Sequence, residues 1–258
     1  MNRYTTVTGL LLCAAVLSSC SYDKNAVQDI TAPAPASRIK FFNFGVNAPG
    51  VNFYANDAKL TAITSATGVE STTGVAYGLA GDGGFYSGIA PGQYTVAGKI
   101  AAATDKDLAI ATIPTAVADG KFYSVYLSGF YNTATKTVDG FVVEDPLPVV
   151  DYTVAYVRFV NAISNSSPMT LFAKNTTTAA ETALGGAAAY KGASAFTPVP
   201  EGVYDLGARL AGSSANAISR TAVSFLAGRI YTIGARGDMT VSSSTATNRP
   251  FLDNTANR

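Results

Sequence analysis

Acidic side chains are the main groups in this sequence that could do chemistry, because the chain contains no histidine. Without histidine, nucleophile systems in which an imidazole activates serine or cysteine are excluded. The common zinc and iron sites built on histidine are excluded on the same ground. Carboxylate-only chemistry, as in glycoside hydrolysis, needs two acids at a fixed separation across a cleft. No such pair is singled out here, so we expect no enzyme and predict no catalytic residue.

Two short acidic stretches could offer oxygen ligands to a calcium ion, Asp105–Asp107 and Glu144–Asp145. Neither has the long ligand spacing of a calcium loop, and we interpret both as solvated turns. The stretch Gly81–Gly84 resembles a glycine-rich phosphate loop but lacks the lysine and the following helix. We interpret it as a hairpin turn or a mobile loop. The sequence therefore predicts neither a metal site nor a cofactor.

Two further groups of residues allow a binding interpretation. Arg236-Gly237-Asp238 is a tripeptide that can dock on integrins, although chance alone supplies it in some chains of this length. It also falls where a strand should end, and such positions favour Gly and Asp in any case. Tyrosines such as Tyr54, Tyr86 and Tyr131, if exposed, could stack on sugars, although packing on a sheet explains most such rings.

Both cysteines lie within the first twenty residues. Arg3 precedes an apolar run over 9–17, which is about half the length that a membrane-spanning helix needs. A basic start, a short apolar core and small residues after it are typical of a secretory signal. The sequence Leu17-Ser18-Ser19-Cys20 resembles the bacterial lipobox, in which the cysteine receives a diacylglycerol and the peptide is cut before it. The resemblance implies that Cys20 is the lipid attachment site and the first mature residue.

An ordinary secretory signal with a chance cysteine near the cut is the alternative. Ser21 follows the cysteine, whereas an Asp there would suggest inner-membrane retention, so we expect the outer membrane. Removing Arg3 with the signal leaves seventeen basic and seventeen acidic residues. A neutral chain lacks the basic footprint of a nucleic-acid-binding protein, so we expect no nucleic acid partner.

The chain beyond a Pro- and Ala-containing tether is repeated. Three blocks recur in the same order, at offsets of 118, 110 and 108 residues: Lys40–Asn43 with Arg158–Asn161, Ile89–Val96 with Val199–Leu206, and Gly120–Gly129 with Gly228–Gly237. Asn43 and Asn161 are equivalent in this alignment. They could bind a ligand twice over, but we favour a structural role in which each amide ties down the adjoining turn.

Each copy alternates apolar and polar residues like half-buried strands, with Tyr94, Val96 and Ile100 facing one way in the first copy. Short strands with frequent turns over about 100 residues predict a β-sandwich. We therefore expect five segments: a signal peptide over 1–19, the lipidated cysteine and a tether over 20–36, a first sandwich over 37–145, a linker over 146–151 and a second sandwich over 152–258.

The repeated blocks resemble a family called domain of unknown function 4397, common in exported bacterial proteins and frequent in lipoproteins of Bacteroidetes-type bacteria. The resemblance rests on the opening strands that end at Asn43 and Asn161, the Pro-Gly or Pro-x-Gly turn before a Tyr strand, and the late strands after Gly120 and Gly228. It would cover about 36–145 and 152–258. It implies two tandem immunoglobulin-like sandwiches and carries over no catalytic residue.

We therefore expect an all-β, non-enzymatic, lipid-anchored cell-envelope protein that presents two sandwiches for binding or scaffolding. Two alternatives stay open, a carbohydrate-binding accessory of a surface glycan-uptake system and an adhesin. The expected partners are the membrane, through the lipid on Cys20, and a glycan or an envelope protein. We expect a monomer, and the sequence does not decide between the cell surface and the periplasmic face.

Overall fold

The computed structural model describes residues 35–63 and 67–257, which form β-strands joined by turns and loops. The predicted signal peptide and Cys20 lie outside these residues. The strands of the first copy are β1 (Arg38–Asn43), β2 (Val51–Ala55), β3 (Ala58–Lys59), β4 (Leu79–Ala80), β5 (Ser87–Gly88), β6 (Gly92–Ile100), β7 (Ala109–Val117), β8 (Phe122–Asn132) and β9 (Thr137–Glu144). The strands of the second copy are β10 (Val154–Asn161), β11 (Met169–Asn175), β12 (Glu181–Ala188), β13 (Thr197–Pro200), β14 (Gly202–Leu210), β15 (Ile218–Phe225), β16 (Ile230–Arg236) and β17 (Phe251–Ala256). Within the described ranges, no helix is long and apolar enough to cross a membrane.

Each copy folds into two sheets. In the first copy the strand orders are β4-β1-β8-β9, with β5 also paired to β1, and β3-β2-β6-β7. In the second copy the orders are β13-β10-β16-β17 and β12-β11-β14-β15. One hydrophobic core belongs to each pair of sheets. The predicted all-β, sandwich-like architecture is confirmed.

The alternation predicted from sequence places the core side chains. In β6, Val96 and Ile100 are buried in the first core, and Tyr94 packs against it. In β14, Tyr204 and Leu206 are buried in the second core, while the intervening Asp205 is exposed. A period of two residues therefore directs one face of each strand inward.

The opening and late strands of each copy lie side by side and run parallel. β1 pairs with β8 in parallel register, and β10 pairs with β16 in the same way. Arg38 lies opposite Phe122 in the first pair, and Tyr156 lies opposite Ile230 in the second. The two copies thus share this arrangement of strands as well as their sequence pattern.

The two copies pack against each other through their β1 and β10 sheets, and the described residues form a single compact unit. A third apolar cluster fills this contact. The first copy supplies four buried aromatic rings, and the second supplies smaller side chains: Phe42, Phe44, Tyr126 and Phe141 meet Val160 and Ala162. Phe44 lies so close to Gly234 that a Cβ at that glycine would come within 2.8 Å of the ring. Large residues of one copy therefore fill space left by small residues of the other.

We call one end of this unit the base. The described chain starts there, since Ser37 precedes β1, and the connection over 145–153 between the copies crosses it. Two turns lie at this end as well, over 118–121 and 226–229, because they directly precede β8 and β16. The last described residue, Asn257, also lies here, since its N–H bonds to the carbonyl of Ile230 at the start of β16. We call the opposite end, which carries the loops over 133–136 and 237–250, the apex.

Candidate functional site

The contact between the copies buries a cluster of charged side chains. Lys40 of β1 and Arg158 of β10, equivalent in the sequence repeat, are both at most 1 % exposed. Arg158 forms an ion pair with Asp145, and Lys40 donates a hydrogen bond to the side-chain oxygen of Asn257. Asp145 directly follows β9 and Asn257 directly follows β17. Each cation therefore reaches across to the residue that ends the other copy.

The carboxylate of Asp145 is the centre of this cluster. Besides the Arg158 guanidinium, it accepts hydrogen bonds from the Ser124 hydroxyl at 2.7 Å and the Tyr86 hydroxyl at 2.5 Å. The Arg158 Nε donates to the Thr232 hydroxyl at 3.0 Å. A buried charge is tolerated when its hydrogen-bonding groups are occupied in this way.

Lys40 has no carboxylate of its own within the cluster. Burial lowers the pKa of its ammonium from 10.5 to about 7; the nearby Asp145 opposes this change and Arg158 adds to it. Burial also raises the pKa of the Tyr86 hydroxyl, and the adjacent Asp145 carboxylate raises it further. Because these groups bind one another across the contact, we assign them a structural role.

The surroundings of Lys40 and Arg158 within their own copies are equivalent. The Lys40 Nζ lies 4.5 Å from the centroid of the Tyr86 ring, and the Arg158 guanidinium lies 4.9 Å from that of Phe196. Tyr86 directly precedes Ser87, which pairs with Ile39 of β1. Phe196 directly precedes Thr197, which pairs with Val157, the residue of β10 equivalent to Ile39. Together with the reciprocal bonds of Lys40 to Asn257 and of Arg158 to Asp145 across the contact, this equivalence is characteristic of an isologous interface.

A cleft of about 520 Å³ opens beside this contact, between the first copy and β17 of the second. The buried rings of Phe42 and Phe44 line it from the third apolar cluster. One wall comes from the first copy and the other from β17, with these lining residues: Gly78, Leu79, Ala80, Gly83, Gly84 and Phe85 on one side, and Asp253, Asn254, Thr255 and Ala256 on the other.

The β17 wall is the open edge of a sheet. Within the described residues, β17 pairs with β16 alone. Half of the backbone N–H and C=O groups of an edge strand point away from its neighbour, and they can pair with another extended chain. The side-chain oxygen of Asn254 has no hydrogen-bond partner in the described part of the chain. Across the cleft, Leu79 and Phe85 are 53 % and 78 % exposed.

A short 3-10 turn, Gly81–Gly84, shapes the first-copy wall. Asp82, Gly83 and Gly84 have φ angles of 49°, 65° and 86°, in the left-handed region that favours glycine and tolerates aspartate. A Cβ on Gly84 would lie 3.0 Å from the Thr255 side chain, so glycine lets the turn approach β17. The equivalent connections run from Ala80 to Ser87 in the first copy and from residue 193 to residue 197 in the second. The connection in the first copy is three residues longer. This wall is therefore specific to the first copy.

Few of the residues described around the cleft can ionise. Among its described lining residues, Asp253 is the sole ionisable side chain, and its Oδ2 accepts a hydrogen bond from Arg236 Nε at 2.5 Å. Burial raises the pKa of Asp253, and Arg236 opposes that shift. The residues described in the structure contain no group of three or more His, Cys, Asp and Glu side chains that could hold a metal ion.

The tripeptide Arg236-Gly237-Asp238 does not present two free charges. Arg236 is bound to Asp253, as above, and its guanidinium lies 5.1 Å from the Tyr77 ring. The Asp238 carboxylate accepts hydrogen bonds from the backbone N–H and the hydroxyl of Thr240 at 2.9 and 2.7 Å. The expectation that a strand ends here is confirmed, since β16 ends at Arg236 and Gly237 has a φ of 115°.

Both repeated asparagines are buried and bind the backbone. The Asn43 Nδ2 donates to the carbonyls of Pro49 and Val75 at 3.0 and 2.9 Å. The Asn161 Oδ1 accepts from the N–H of Ile163 at 3.0 Å. These contacts agree with the structural role that the repeat favoured.

The interpretation of Glu144–Asp145 as a solvated turn is wrong for Asp145, which is 2 % exposed. Asp105 does lie at the surface, paired with Lys136 at 2.6 Å. The idea that Tyr54 is free to stack on sugars is also wrong, because its ring is buried.

The two other tyrosines are also engaged by the protein. Tyr86 is half-buried and bound to Asp145, and Tyr131 packs against the first core. Cys20, the predicted lipid attachment site, lies outside the described residues.

The cleft itself was not foreseen from sequence. Leu79 and Phe85 are ordinary apolar residues in a loop, and no spacing rule places them opposite an edge strand 170 residues later in the chain. One signal was available, because Gly81–Gly84 falls in a connection that is longer in the first copy than in the second. An insertion in one of two equivalent loops marks a feature that the other copy lacks.

The chain was compared with known proteins. No curated protein matches it. One similar solved structure is the Bacillus anthracis TIE protein, at 16 % identity and a TM-score of 0.25, covering 78 % of this chain and 34 % of that one. Another is described as "a putative cell adhesion protein from Bacteroides ovatus ATCC 8483", at 10 % identity and a TM-score of 0.23, covering 87 % and 97 %. The chain thus spans about a third of the first protein's length.

A family model also matches, and it covers residues 155–258. The corresponding assignment for 36–145 stays a prediction, as do the lipobox and the bacterial group. The second copy, residues 155–258, therefore matches the family that its sequence pattern predicted, described as Domain of unknown function (DUF4397).

Proposed function

We propose that this chain is a non-enzymatic lipoprotein of the outer membrane, held by a lipid on Cys20, that binds a partner in the cleft between its two copies. The observation that carries the binding role is the cleft itself. An open strand edge faces two exposed apolar side chains, Leu79 and Phe85, across about 520 Å³. The described residues that line it include no nucleophile with an adjacent base, which supports binding over turnover.

The partner that best fits this cleft is an extended polypeptide segment of another envelope protein. Such a segment can pair with the outward backbone groups of β17 and place alternate apolar side chains against Phe85 and Leu79. Beside this edge, the side-chain oxygen of Asn254 is buried and has no hydrogen-bond partner among the described residues, so it is an unused acceptor in the β17 wall. The single ionisable lining group is already neutralised by Arg236, so a charged ligand gains little there.

Carbohydrate is the second candidate, and the exposed ring of Phe85 is the observation that favours it. A flat aromatic face can stack on a sugar ring. The tyrosines first considered for this role are buried or held by the protein. An adhesin acting through Arg236-Gly237-Asp238 is disfavoured, because Arg236 is held in an ion pair with Asp253.

Site-specific photocrosslinking in cells tests the proposed partner. A benzophenone amino acid replaces Phe85 in the cleft, and in a matched strain it replaces Val69, which is 64 % exposed outside the cleft. We expect protein adducts from position 85 and none of the same mass from position 69. Adducts that are equal at both positions, or glycan-array binding that Phe85→Ala abolishes without any protein adduct, would refute the polypeptide assignment.

Protease treatment of intact cells tests the anchor and the orientation. A Cys20→Ser strain serves as the comparison. We expect the wild-type protein to sediment with the outer membrane and the variant to be released. Cleavage on intact cells then places it on the surface, and protection until the outer membrane is broken places it on the periplasmic face. Release of both forms alike would refute the lipid anchor.

A further inference from the structure

The base of the molecule carries an unusual set of exposed apolar side chains. Val149 and Tyr152, in the connection between the copies, are 92 % and 82 % exposed. Leu226, in the turn before β16, is 57 % exposed. These three residues are among the nine large apolar side chains that the described chain leaves most open to solvent. We call them, with Leu147, the basal tip.

The basal tip is a continuous surface. Leu147, Pro148, Val149, Val150 and Tyr152 line one surface pocket together. Tyr152 in turn packs against the turn over 226–229, since a Cβ on Gly228 would lie 3.0 Å from its ring. The Arg229 N–H closes that turn on the carbonyl of Leu226. The connection and the turn therefore present their apolar side chains at the same end.

The chain enters the folded unit at this same end. Ser37 bonds through its hydroxyl to the carbonyl of Ala118, and the Gly120 N–H donates back to that hydroxyl at 3.1 Å. Residues 20–34 separate the predicted lipid from the described fold, and fifteen residues span at most about 50 Å when extended. A lipid on Cys20 would hold the base nearer to the bilayer than the apex.

We propose that the basal tip rests on the lipid bilayer and inserts Val149, Tyr152 and Leu226 into its interface. This inference rests on the lipid anchor of the proposed function and adds a second membrane contact to it. The charges beside the tip limit the depth of this contact to the interface. Lys121 is paired with Glu144 at 3.0 Å, whereas the hydrogen bonds from Thr153 favour the charged form of the exposed Asp151 carboxylate, which therefore stays in contact with water.

The proposed contact does not depend on anionic lipid. The charges around the tip have both signs and form no basic cluster, which an anionic surface would attract. Three apolar side chains bind a bilayer only weakly by themselves. A tethered protein meets the surface at a high effective concentration, however, so weak insertion is sufficient to orient it.

Tryptophan fluorescence offers a direct test, because the chain has no tryptophan. Val149→Trp places a single indole in the tip, and Phe130→Trp places one near the apex at another exposed position. Each lipidated variant is reconstituted into phosphatidylcholine vesicles with or without bromine on the acyl chains. We expect bromine to quench the fluorescence of the indole at position 149 by about half or more, because an indole inserted at the interface lies close to the acyl chains. The fluorescence of the indole at position 130 should be unaffected.

A further variant separates insertion from mere closeness. Tyr152→Asp and Leu226→Asp, added to Val149→Trp, place charges at exposed positions without touching either core, and we expect them to remove the quenching. Flotation with and without Cys20→Ser reports the anchor independently. Protein that floats but shows no quenching at position 149 overturns the inference and leaves the anchor intact. Protein that fails to float, with Cys20 present, refutes the anchor and the inference with it.

Discussion

Replacing Lys40 by methionine should stabilise the protein at neutral pH and change how its stability depends on pH. Lys40 is fully buried, and its pKa falls from 10.5 to about 7. That difference corresponds to about 5 kcal/mol of unfavourable burial when the amine is charged. Lys40→Met also loses the hydrogen bond to Asn257 and the contact with the Tyr86 ring, together about 2–3 kcal/mol. We therefore expect a net gain of about 2 kcal/mol at pH 6.5.

The pH dependence follows from which state binds more protons. Below pH 7, Lys40 is protonated in both the folded and the unfolded chain, so it contributes no slope. Between pH 7 and 10.5 the unfolded chain keeps the proton that the folded chain has released, so the stability of the folded state rises with pH. The slope is at most about 1.36 kcal/mol per pH unit, or about 3 kcal/mol between pH 7 and 9.5.

Urea unfolding followed by circular dichroism, from pH 6.5 to 9.5, measures both effects. The range ends there because burial raises the pKa of four tyrosines, whose retained protons would lower stability above pH 10: Tyr77, Tyr86, Tyr126 and Tyr190. Lys106→Met, in an exposed loop, is the matched control and should keep the wild-type slope. A wild-type curve that is flat over this range, or a slope that survives in Lys40→Met, would refute the reasoning.

Three further predictions concern the remaining buried and bound groups. Arg158→Met leaves Asp145 as a buried carboxylate without its ion-pair partner and should lower the free energy of unfolding by about 3–5 kcal/mol. Adding Asp145→Asn to this variant should restore part of the lost stability. Chemical denaturation of both variants checks this, and equal losses of stability would contradict the ion pair. Asn161→Ala should cost about 2–3 kcal/mol because the Ile163 N–H loses its acceptor, while any ligand binding by the folded variant should be unchanged in calorimetry. Asp238→Ala should lower thermal stability slightly, through the lost Thr240 hydrogen bonds, and leave attachment to integrin-bearing cells at its wild-type level; a loss of attachment would restore the adhesin hypothesis.

The sequence predicted the fold well because its strands carry two independent signals. Alternation in β6 and β14 marks which side chains face a core, and turn residues mark where each strand ends. The repeat adds a third signal, since Lys40–Asn43 and Arg158–Asn161 each open a copy in the same way. What the sequence could not provide was the parallel pairing of β1 with β8, because period-two patterns carry no information on strand direction.

The candidate site was beyond sequence reasoning for a different physical reason. Asp145 follows a strand and precedes two prolines, which is the pattern of a solvated turn, yet it is buried because the second copy covers it. Likewise, Phe85 gains significance only from β17 on the opposite wall of the cleft. Both features belong to the contact between the copies, and no local pattern reports how two folded units will face each other.

The two-fold contact also governs which units can assemble. In a symmetric dimer of two identical copies, every residue that now differs between the copies would be the same on both sides of the contact. Two first copies would set Phe44 against Tyr126 where Gly234 now makes room, and two second copies would bury Arg158 opposite Asn257 with no carboxylate. The large side chains of the first copy and the small ones of the second are complementary, as in an engineered knob-into-hole heterodimer. The contact therefore favours pairing of the first copy with the second copy of the same chain over pairing of two identical copies from different chains.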